Sequence, residues 1–453
     1  MSTARSKDEL LSRLRDGGAM TRREKLRLVA LLSVPAMLGQ LSSIIMQYID
    51  AMMVGHIGAS ASASIGLVST TTWLFGGLTV SVGTGFSVLV AQCIGGKRYD
   101  EARSILRQAL IVCLGFGLAV SLLCVSIHRG LPVWLGGDED VIGDASRYFL
   151  VWALTVPVMQ MMHLSNSMLR CSGEMKVPML VGVMMCLLDV LFNCLFIPRW
   201  GVLGAALATS ISALICATVS LLYLVGWSKE LVLMGHPGRL RLQWSIVRES
   251  LKIGMPMAVE HVVFCGAQIV STLIVAPLGT VAIAANAIGV TVESLCYMPG
   301  YGIGDAATTL VGQSIGAKRK DLVRSFSYLT VALGMAVMTL LGVVMFVLAP
   351  QLMAMMSSSV DVQWAGVSAL RIEAFAEPMY AASIVAYGIF VGAGDTLRPC
   401  CMNLVSIWAV RIPLAWWLGW EMDMGLDGVW MAMCIELCFR GSIFLARLWY
   451  KNR

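Results

Sequence analysis

The chain has 453 residues, of which 58% are hydrophobic and only 13% are charged, and its mean hydropathy is +0.78. Soluble proteins carry roughly 25% charged residues, so one soluble core cannot hide this much apolar surface and the bilayer must be its solvent. The net charge of +6 comes from Lys and Arg in short loops between apolar runs, which argues against nucleic-acid binding. The 13 Cys are scattered through the apolar runs, which indicates packing thiols and no disulfide framework.

Twelve apolar runs are long enough to cross a bilayer, which takes about 20 residues. They predict spans at 26–55, 60–95, 104–128, 145–172, 177–199, 201–227, 250–277, 281–316, 326–350, 365–393, 398–420 and 425–450. Gly-rich stretches in spans 2 and 8 predict bends or unwound turns there. The predicted domains are a cytoplasmic basic tail (1–25), an N-lobe of spans 1–6 (26–227), a cytoplasmic linker (228–249) and a C-lobe of spans 7–12 (250–450).

The chain overlays on itself when it is shifted by 221 residues. Residues 92–104 then fall on residues 313–325, with eight identities, and Pro35 falls on Pro256. The fold class is therefore an all-α integral membrane protein of twelve helices, arranged as two six-helix bundles in a parallel internal repeat. This is the build of a secondary transporter.

The basic residues predict the orientation in the membrane. With a cytoplasmic N-terminus, 27 of the 33 Lys and Arg lie in the tail, in the loops that follow spans 2, 4, 6, 8 and 10, and at the C-terminus. Both termini should therefore be cytoplasmic. Thr21-Arg22-Arg23 resembles a twin-arginine export signal, but eleven more spans follow the first apolar run, so we expect no cleaved signal.

Acidic residues inside the spans point to a cation site in the N-lobe. A carboxylate at the centre of a span costs about 3 kcal/mol, so each one demands an explanation. Asp50 lies in span 1, and Asp189 and Asn193 lie four residues apart on one face of span 5. Two carboxylates and an amide suit Na⁺ or a shared proton. The alternative is that Asp50 only caps or hydrogen-bonds span 2.

The C-lobe has its own acids, but not at equivalent positions, since Asp50 falls on Ser271. A Glu on a cavity wall would attract a cationic substrate or take a proton. The alternative is a structural ion pair, such as Glu377 with Arg371 or Glu436 with Arg440. The C-lobe acids and the neighbouring histidine are Glu260, His261, Glu293, Asp305, Glu373 and Glu377.

The sequence contains no phosphate-binding loop, no zinc-protease motif and no nucleophile elbow, so we expect no enzyme. Transport should then be driven by an ion gradient, without a cofactor. The repeated Lys97-Arg98 and Lys318-Arg319 pairs are interpreted as topology anchors at the membrane surface. Pro35 and Pro256 each remove a helical hydrogen bond, which permits bending but does not require it.

These features together resemble the multidrug and toxic compound extrusion family over nearly the full length. The residues that carry the resemblance are Pro35, 47–55, 92–96, 189–193, 275–279, 284–286 and 392–396. The resemblance implies export of amphipathic, often cationic, drugs in exchange for Na⁺ or H⁺. It also implies a monomer in the inner membrane, with small organic molecules as partners.

The resemblance assigns roles to individual residues. Asp50 matches the family's span 1 cation-site aspartate, Asp189 and Asn193 match its span 5 polar pair, and Thr209 matches a further ligand, so Na⁺ is expected at the first three. One bacterial branch has a span 7 glutamate where this chain has Phe264 and a span 10 aspartate near Tyr380, which shifts weight to the N-lobe. The expected substrate-cavity residues are Gln47, Glu260, His261, Phe264, Glu293 and Glu377.

Two other classes remain open. A flippase for lipid-linked oligosaccharides or other lipids could share the fold, but we would expect a more cationic cavity in such a protein. A membrane enzyme or channel is disfavoured by the missing catalytic motifs and by the twofold repeat.

Overall fold

The computed structural model describes residues 6–235 and 242–451, and these form helices joined by short turns. The helices are α1 (Lys7–Arg15), α2 (Arg22–Gly55), α3 (Ala59–Gly95), α4 (Tyr99–Ile127), α5 (Leu131–Trp134), α6 (Glu139–Ser172), α7 (Lys176–Gly226), α8 (Trp244–Val275), α9 (Thr280–Gly316), α10 (Lys320–Met356), α11 (Val360–Glu373), α12 (Glu377–Gly392), α13 (Leu397–Val405), α14 (Ile412–Trp416) and α15 (Gly425–Lys451). Residues 406–411 and 417–421 form wider, π-type turns that join α13 to α14 and extend α14.

In the described part of the chain, ten continuous helical stretches are long and apolar enough to cross a membrane, and α11 with α12 forms one further span bent by 60°. The 51-residue α7 contains non-helical backbone at Gly201, where φ is 55° and ψ is −129°. Gly tolerates this conformation at no steric cost, so it divides α7 into two spans. The all-α membrane fold class is thereby confirmed, with twelve crossings when α7 is counted as two.

The internal repeat is visible in the backbone conformation. Lys97 and Lys318, which are 221 residues apart, both have positive φ, at 59° and 57°. Two glycine pairs at the same offset also have positive φ, Gly58 with Gly279 and Gly173 with Gly394. Because positive φ is uncommon for a side chain as long as Lys, its recurrence at equivalent positions shows that the two halves make the same turns.

Of the bends or unwound turns predicted in spans 2 and 8, unwound turns do not occur, since α3 and α9 are unbroken helices. Bends there stay a prediction. Small hydroxyl side chains in these helices donate to carbonyl groups about one turn earlier, as Thr308 does to Gly304. Some of these glycines, such as Gly85 and Gly302, allow close approach of a neighbouring helix instead. A Cβ on Gly302 would lie 2.6 Å from the backbone nitrogen of Met37.

The basic tail contains a helix that was not predicted. Leu10, Leu11 and Leu14 of α1 are at most 3% exposed. The tail is also held by polar contacts, since the Arg15 side chain donates to Gln313 at 3.1 Å. In the predicted linker, residues 236–241 lie outside the described residues, and α8 already begins at Trp244.

Within the described part of the chain, contacts divide the protein into two units. One unit holds the chain up to Met37, Val259–Ile315 and the chain from Arg319, and the other holds Leu38–Ala258 and Gly316–Lys318. The boundaries inside α2 and α8 are themselves 221 residues apart. Each falls two residues after a proline of the repeat, Pro35 or Pro256. Both first helices of the repeat therefore pass from one unit to the other next to a proline.

Candidate functional site

Asn193 joins the two N-lobe carboxylates. Its Nδ2 group donates to Asp50 Oδ1 at 2.7 Å and to Asp189 Oδ2 at 2.9 Å. Asp50 comes from α2, whereas Asp189 and Asn193 lie one turn apart on α7. The structure thus brings three polar side chains from two helices together in one cluster. Cation binding by this cluster stays a prediction.

The cluster is enclosed by the N-lobe. Asp189 is fully buried and Asn193 is 1% exposed, whereas Asp50 is half-buried. A small apolar group that includes Val54 and Val202 is formed by the same helices, α2 and α7. Asp50 therefore links a buried pair to a more accessible edge of the lobe.

The oxygens of the cluster are not fully used by the protein. Asp189 Oδ1 and Asn193 Oδ1 are buried and accept no hydrogen bond from any residue that the structure describes. A buried oxygen without a partner is costly, and two nearby carboxylates repel each other when both are ionised. An oxygen-binding cation such as Na⁺, or a proton shared between the acids, would remove both costs.

Two other predicted N-lobe residues lie outside this hydrogen-bonded cluster. The Thr209 hydroxyl donates to the Ala205 carbonyl at 3.2 Å, one turn earlier in its own helix. Gln47 is exposed on α2, three residues before Asp50 and so on nearly the same face. A substrate-cavity role for Gln47 stays a prediction.

Glu260 forms a separate polar cluster in the C-lobe. Its two carboxylate oxygens accept hydrogen bonds from the Tyr387 hydroxyl at 2.7 Å and from Asn403 Nδ2 at 2.6 Å. His261 and Phe264, the other predicted residues of α8, are half-buried nearby. Glu260 thus has two neutral donors and no carboxylate partner, unlike Asp50.

The other C-lobe acids are enclosed in the bundle. Glu293 is 4% exposed, and Glu373 and Glu377 are fully buried. Within residues 6–235 and 242–451, no carboxylate oxygen of Glu373 or Glu377 has a hydrogen-bond partner. The suggested Glu377–Arg371 pair does not form, whereas Glu436 and Arg440 do pair, at 3.0 Å. Glu293 and Glu377 are thus enclosed by protein in this structure, and their place in a substrate cavity stays a prediction.

Sequence reasoning missed Tyr387 and Asn403 as partners of Glu260. They are 127 and 143 residues away in the chain, and no local spacing connects them. Their only sequence signal is a polar side chain in a mostly apolar span, which is the criterion that identified Asn193.

Comparison with known proteins shows the family. The MatE family model matches residues 35–195 and 256–417, so its two matches begin at the two repeated prolines. A probable multidrug resistance protein NorM of Thermotoga maritima is 26% identical over 431 residues, covering 93% of this chain and 92% of that protein. The probable multidrug resistance protein YoeA of Bacillus subtilis is 22% identical and covers 89% of each chain.

Solved structures share the fold over the whole chain. The outward-facing conformation of a multidrug resistance MATE family transporter of the MOP superfamily superimposes with a TM-score of 0.89 at 18% identity, covering 100% of this chain and 99% of that one. A MOP superfamily transporter from Pyrococcus furiosus, described as having a binding pocket of reverse polarity, superimposes with a TM-score of 0.88 at 18% identity, covering 98% and 97%. From the repeat, the twelve crossings and the family match, this chain belongs to the MatE family.

Proposed function

We propose that the protein is a multidrug efflux transporter of the inner membrane, which exports amphipathic or cationic organic compounds in exchange for Na⁺ or H⁺. The observation that carries the coupling proposal is the cluster of Asp50, Asp189 and Asn193, with buried oxygens that lack partners. The relatives named as multidrug resistance proteins support the substrate class.

The cluster suggests how ion binding acts on transport. Asp189 and Asn193 hold the buried end of the site, while half-buried Asp50 is the entry point for an ion. Without an ion, two carboxylates share a single amide donor and carry uncompensated negative charge. Binding of Na⁺ or a proton neutralises that charge, so an organic cation and the coupling ion compete for the same electrostatic attraction.

Members of the MatE family are transporters, and we propose that this chain has no enzymatic activity and uses no cofactor. The ion gradient would then supply all the free energy for export. Each unit charge that moves down a membrane potential of about 100 mV releases roughly 2.3 kcal/mol.

A lipid flippase is the less favoured function. We would expect a cationic cavity for an anionic lipid headgroup, whereas the polar clusters here are built on Asp50, Asp189 and Glu260. We would also not expect a lipid flippase to export small organic cations in an ion-dependent way.

We further propose that the protein acts as a monomer in the bilayer with both termini in the cytoplasm. The orientation rests on the 27 basic residues that gather on one side. Each six-span half inserts the same way up, so the orientation of one half fixes that of the other.

Expression in a host that lacks its own efflux pumps tests this function. The host should accumulate less ethidium than a host with empty vector, and an ionophore that collapses the Na⁺ and H⁺ gradients should abolish the difference. Unchanged accumulation across a broad panel of organic cations would contradict the proposed function.

A further inference from the structure

Span 10 has two opposite faces of different character. Trp364, Ser368 and Arg371 follow at intervals of four and three residues, which places them on one face of α11, and Phe375 lies in the turn directly after this helix. Trp364 and Phe375 are each 72% exposed, and Arg371 is also exposed. The open face of a membrane span therefore carries a charged side chain.

The opposite face of span 10 is buried in the C-lobe. Gly366, Leu370 and Glu373 repeat this spacing on the other side of α11 and are enclosed, and Glu377, the first residue of α12, is enclosed as well. The acids of this span thus point into the bundle while Arg371 points away from it. This explains why Arg371 and Glu377 do not pair, although they lie on the same span.

A cleft of about 700 Å³ surrounds Arg371 between α10, α11 and α15. Apolar and aromatic side chains form most of its wall, including Phe346 and Met431. The Arg371 guanidinium lies 5.3 Å from the centroid of the Phe346 ring, and the Phe346 and Phe375 rings meet edge to face at 5.8 Å. The aromatic contacts hold the cation at the cleft, and Arg371 makes no ion pair with any residue that the structure describes.

The position of Arg371 along the helix places it at lipid depth. It lies eleven residues after Val360, the first residue of α11, which corresponds to about 16 Å of helix. Trp364, one turn from the start of α11, is the residue type that marks the membrane interface. Helical side chains lean toward the helix N-terminus, so the guanidinium reaches back toward the leaflet in which α11 begins.

We propose that this cleft binds an anionic phospholipid of the surrounding bilayer, with the headgroup phosphate on Arg371 and an acyl chain against Phe346, Phe375 and Met431. Arg is suited to phosphate because its planar guanidinium donates two parallel hydrogen bonds. The phosphate supplies the counter-charge that the protein does not, and the cleft offers a chain the apolar wall that it needs. The site lies at the bend between α11 and α12 and shares no residue with the Asp50 and Glu260 clusters.

The test uses the full chain in nanodiscs of phosphatidylcholine with a minor fraction of phosphatidylglycerol, and native mass spectrometry counts the phosphatidylglycerol retained. Arg371→Gln should lower retention about tenfold, the worth of a charge-assisted hydrogen bond. Arg371→Lys should restore most of it. Arg129→Gln removes an exposed arginine outside the cleft and should change nothing.

Equal retention by Arg371→Gln and the unmodified protein would overturn the proposal. If Arg371→Gln fails to fold, Phe346→Leu keeps the charge but removes the ring, and retention should then fall about threefold. Unchanged retention by a folded Phe346→Leu would also contradict the proposal. Excess inorganic phosphate should not displace the lipid, and displacement would show a free-phosphate site in place of a lipid site.

Discussion

Glu436 and Arg440 form a buried ion pair in the C-lobe. Glu436 is fully buried, and it accepts hydrogen bonds from Ser406 and from Arg440. A buried pair of this kind contributes little net stability compared with apolar residues, but removing one partner leaves an uncompensated charge.

We therefore expect Arg440→Leu to destabilise the protein by about 3–5 kcal/mol. The double variant Glu436→Gln with Arg440→Leu should recover much of that loss, because the buried charge is gone. The measurement is thermal unfolding of the purified protein in detergent. A double variant as unstable as the single one would show that Arg440 acts through packing alone.

At the residue scale, the sequence was sufficient to predict a polar cluster where the residue type and the helical spacing indicate the same site. Asp189 and Asn193 lie on one turn of one helix, and Asp50 follows from the cost of a carboxylate in a span. The sequence did not predict a hydrogen-bond partner that comes from a distant helix, as Asn403 does for Glu260. Nor did spacing show that Thr209 donates to its own backbone, since that depends on the rotamer.

The elements are packed most closely where the two copies of the repeated motif meet. A Cβ on Gly316, at the end of α9, would clash with the backbone oxygen of Gln92. Gln92 belongs to the first copy of the motif and Gly316 to the second. Glycine is thus required there by the approach of another backbone, and a carbonyl in a helix cannot move aside cheaply.

Gly316→Ala should therefore lower the melting temperature and reduce transport. Gly115→Ala provides the matched control, because a Cβ on Gly115 meets nothing within 4 Å and should stabilise α4 by about 1 kcal/mol. Thermal unfolding of both variants tests whether their melting temperatures change in opposite directions. Equal behaviour would mean that the two motifs do not approach this closely.

Asp395, in the turn between α12 and α13, should make the stability of the protein depend on pH. Burial opposes ionisation of Asp395, but hydrogen bonds from Lys451 and Arg447 outweigh it and hold the pKa of Asp395 below its usual value. A lowered pKa stabilises the fold above the unfolded pKa, and this stability is lost as pH falls through the folded value.

Asp395→Asn should thus cost about 1 kcal/mol or less at neutral pH and nothing in strong acid, since the pair is partly exposed. Melting temperatures of both proteins from neutral pH to below pH 4 should converge, with about 3.9 as the ordinary pKa of Asp. A constant gap across that range would exclude the charge as the cause.

Element boundaries were predicted well for the spans and poorly between them. Apolar runs locate helices because the bilayer demands them. Helix α1 was missed because its three buried leucines are too few for an apolar run. The glycines of α3 and α9 were misread because a glycine that breaks a helix and one that admits a neighbour look the same in sequence.

At the scale of the molecule, the repeat governs the architecture. The helices α2 and α8 each pass from one unit to the other two residues after Pro35 or Pro256. The missing hydrogen bond at each proline makes these the points where a helix bends most easily. The sequence located the prolines, but only the contacts showed that both units share these two helices.

The predicted topology can be tested on intact cells. A cysteine placed at the exposed Lys320 should resist an impermeant thiol reagent, whereas a cysteine at the exposed Asp138 should react. These cysteines are introduced into a variant in which the exposed Cys194 and Cys401 are replaced by serine. Equal labelling at Lys320 and Asp138 would overturn the orientation.

The central claim is that the N-lobe cluster couples ion movement to export, and efflux of ethidium from proteoliposomes under an imposed Na⁺ or H⁺ gradient tests it most directly. Asp50→Asn keeps the shape of the cluster but removes the charge that the ion neutralises, so gradient-driven efflux should fall at least about tenfold. Glu260→Gln keeps a hydrogen-bonding group beside Tyr387 and Asn403 and should retain most of the efflux. Near-normal efflux by Asp50→Asn together with an inactive Glu260→Gln would place coupling in the C-lobe and contradict this account.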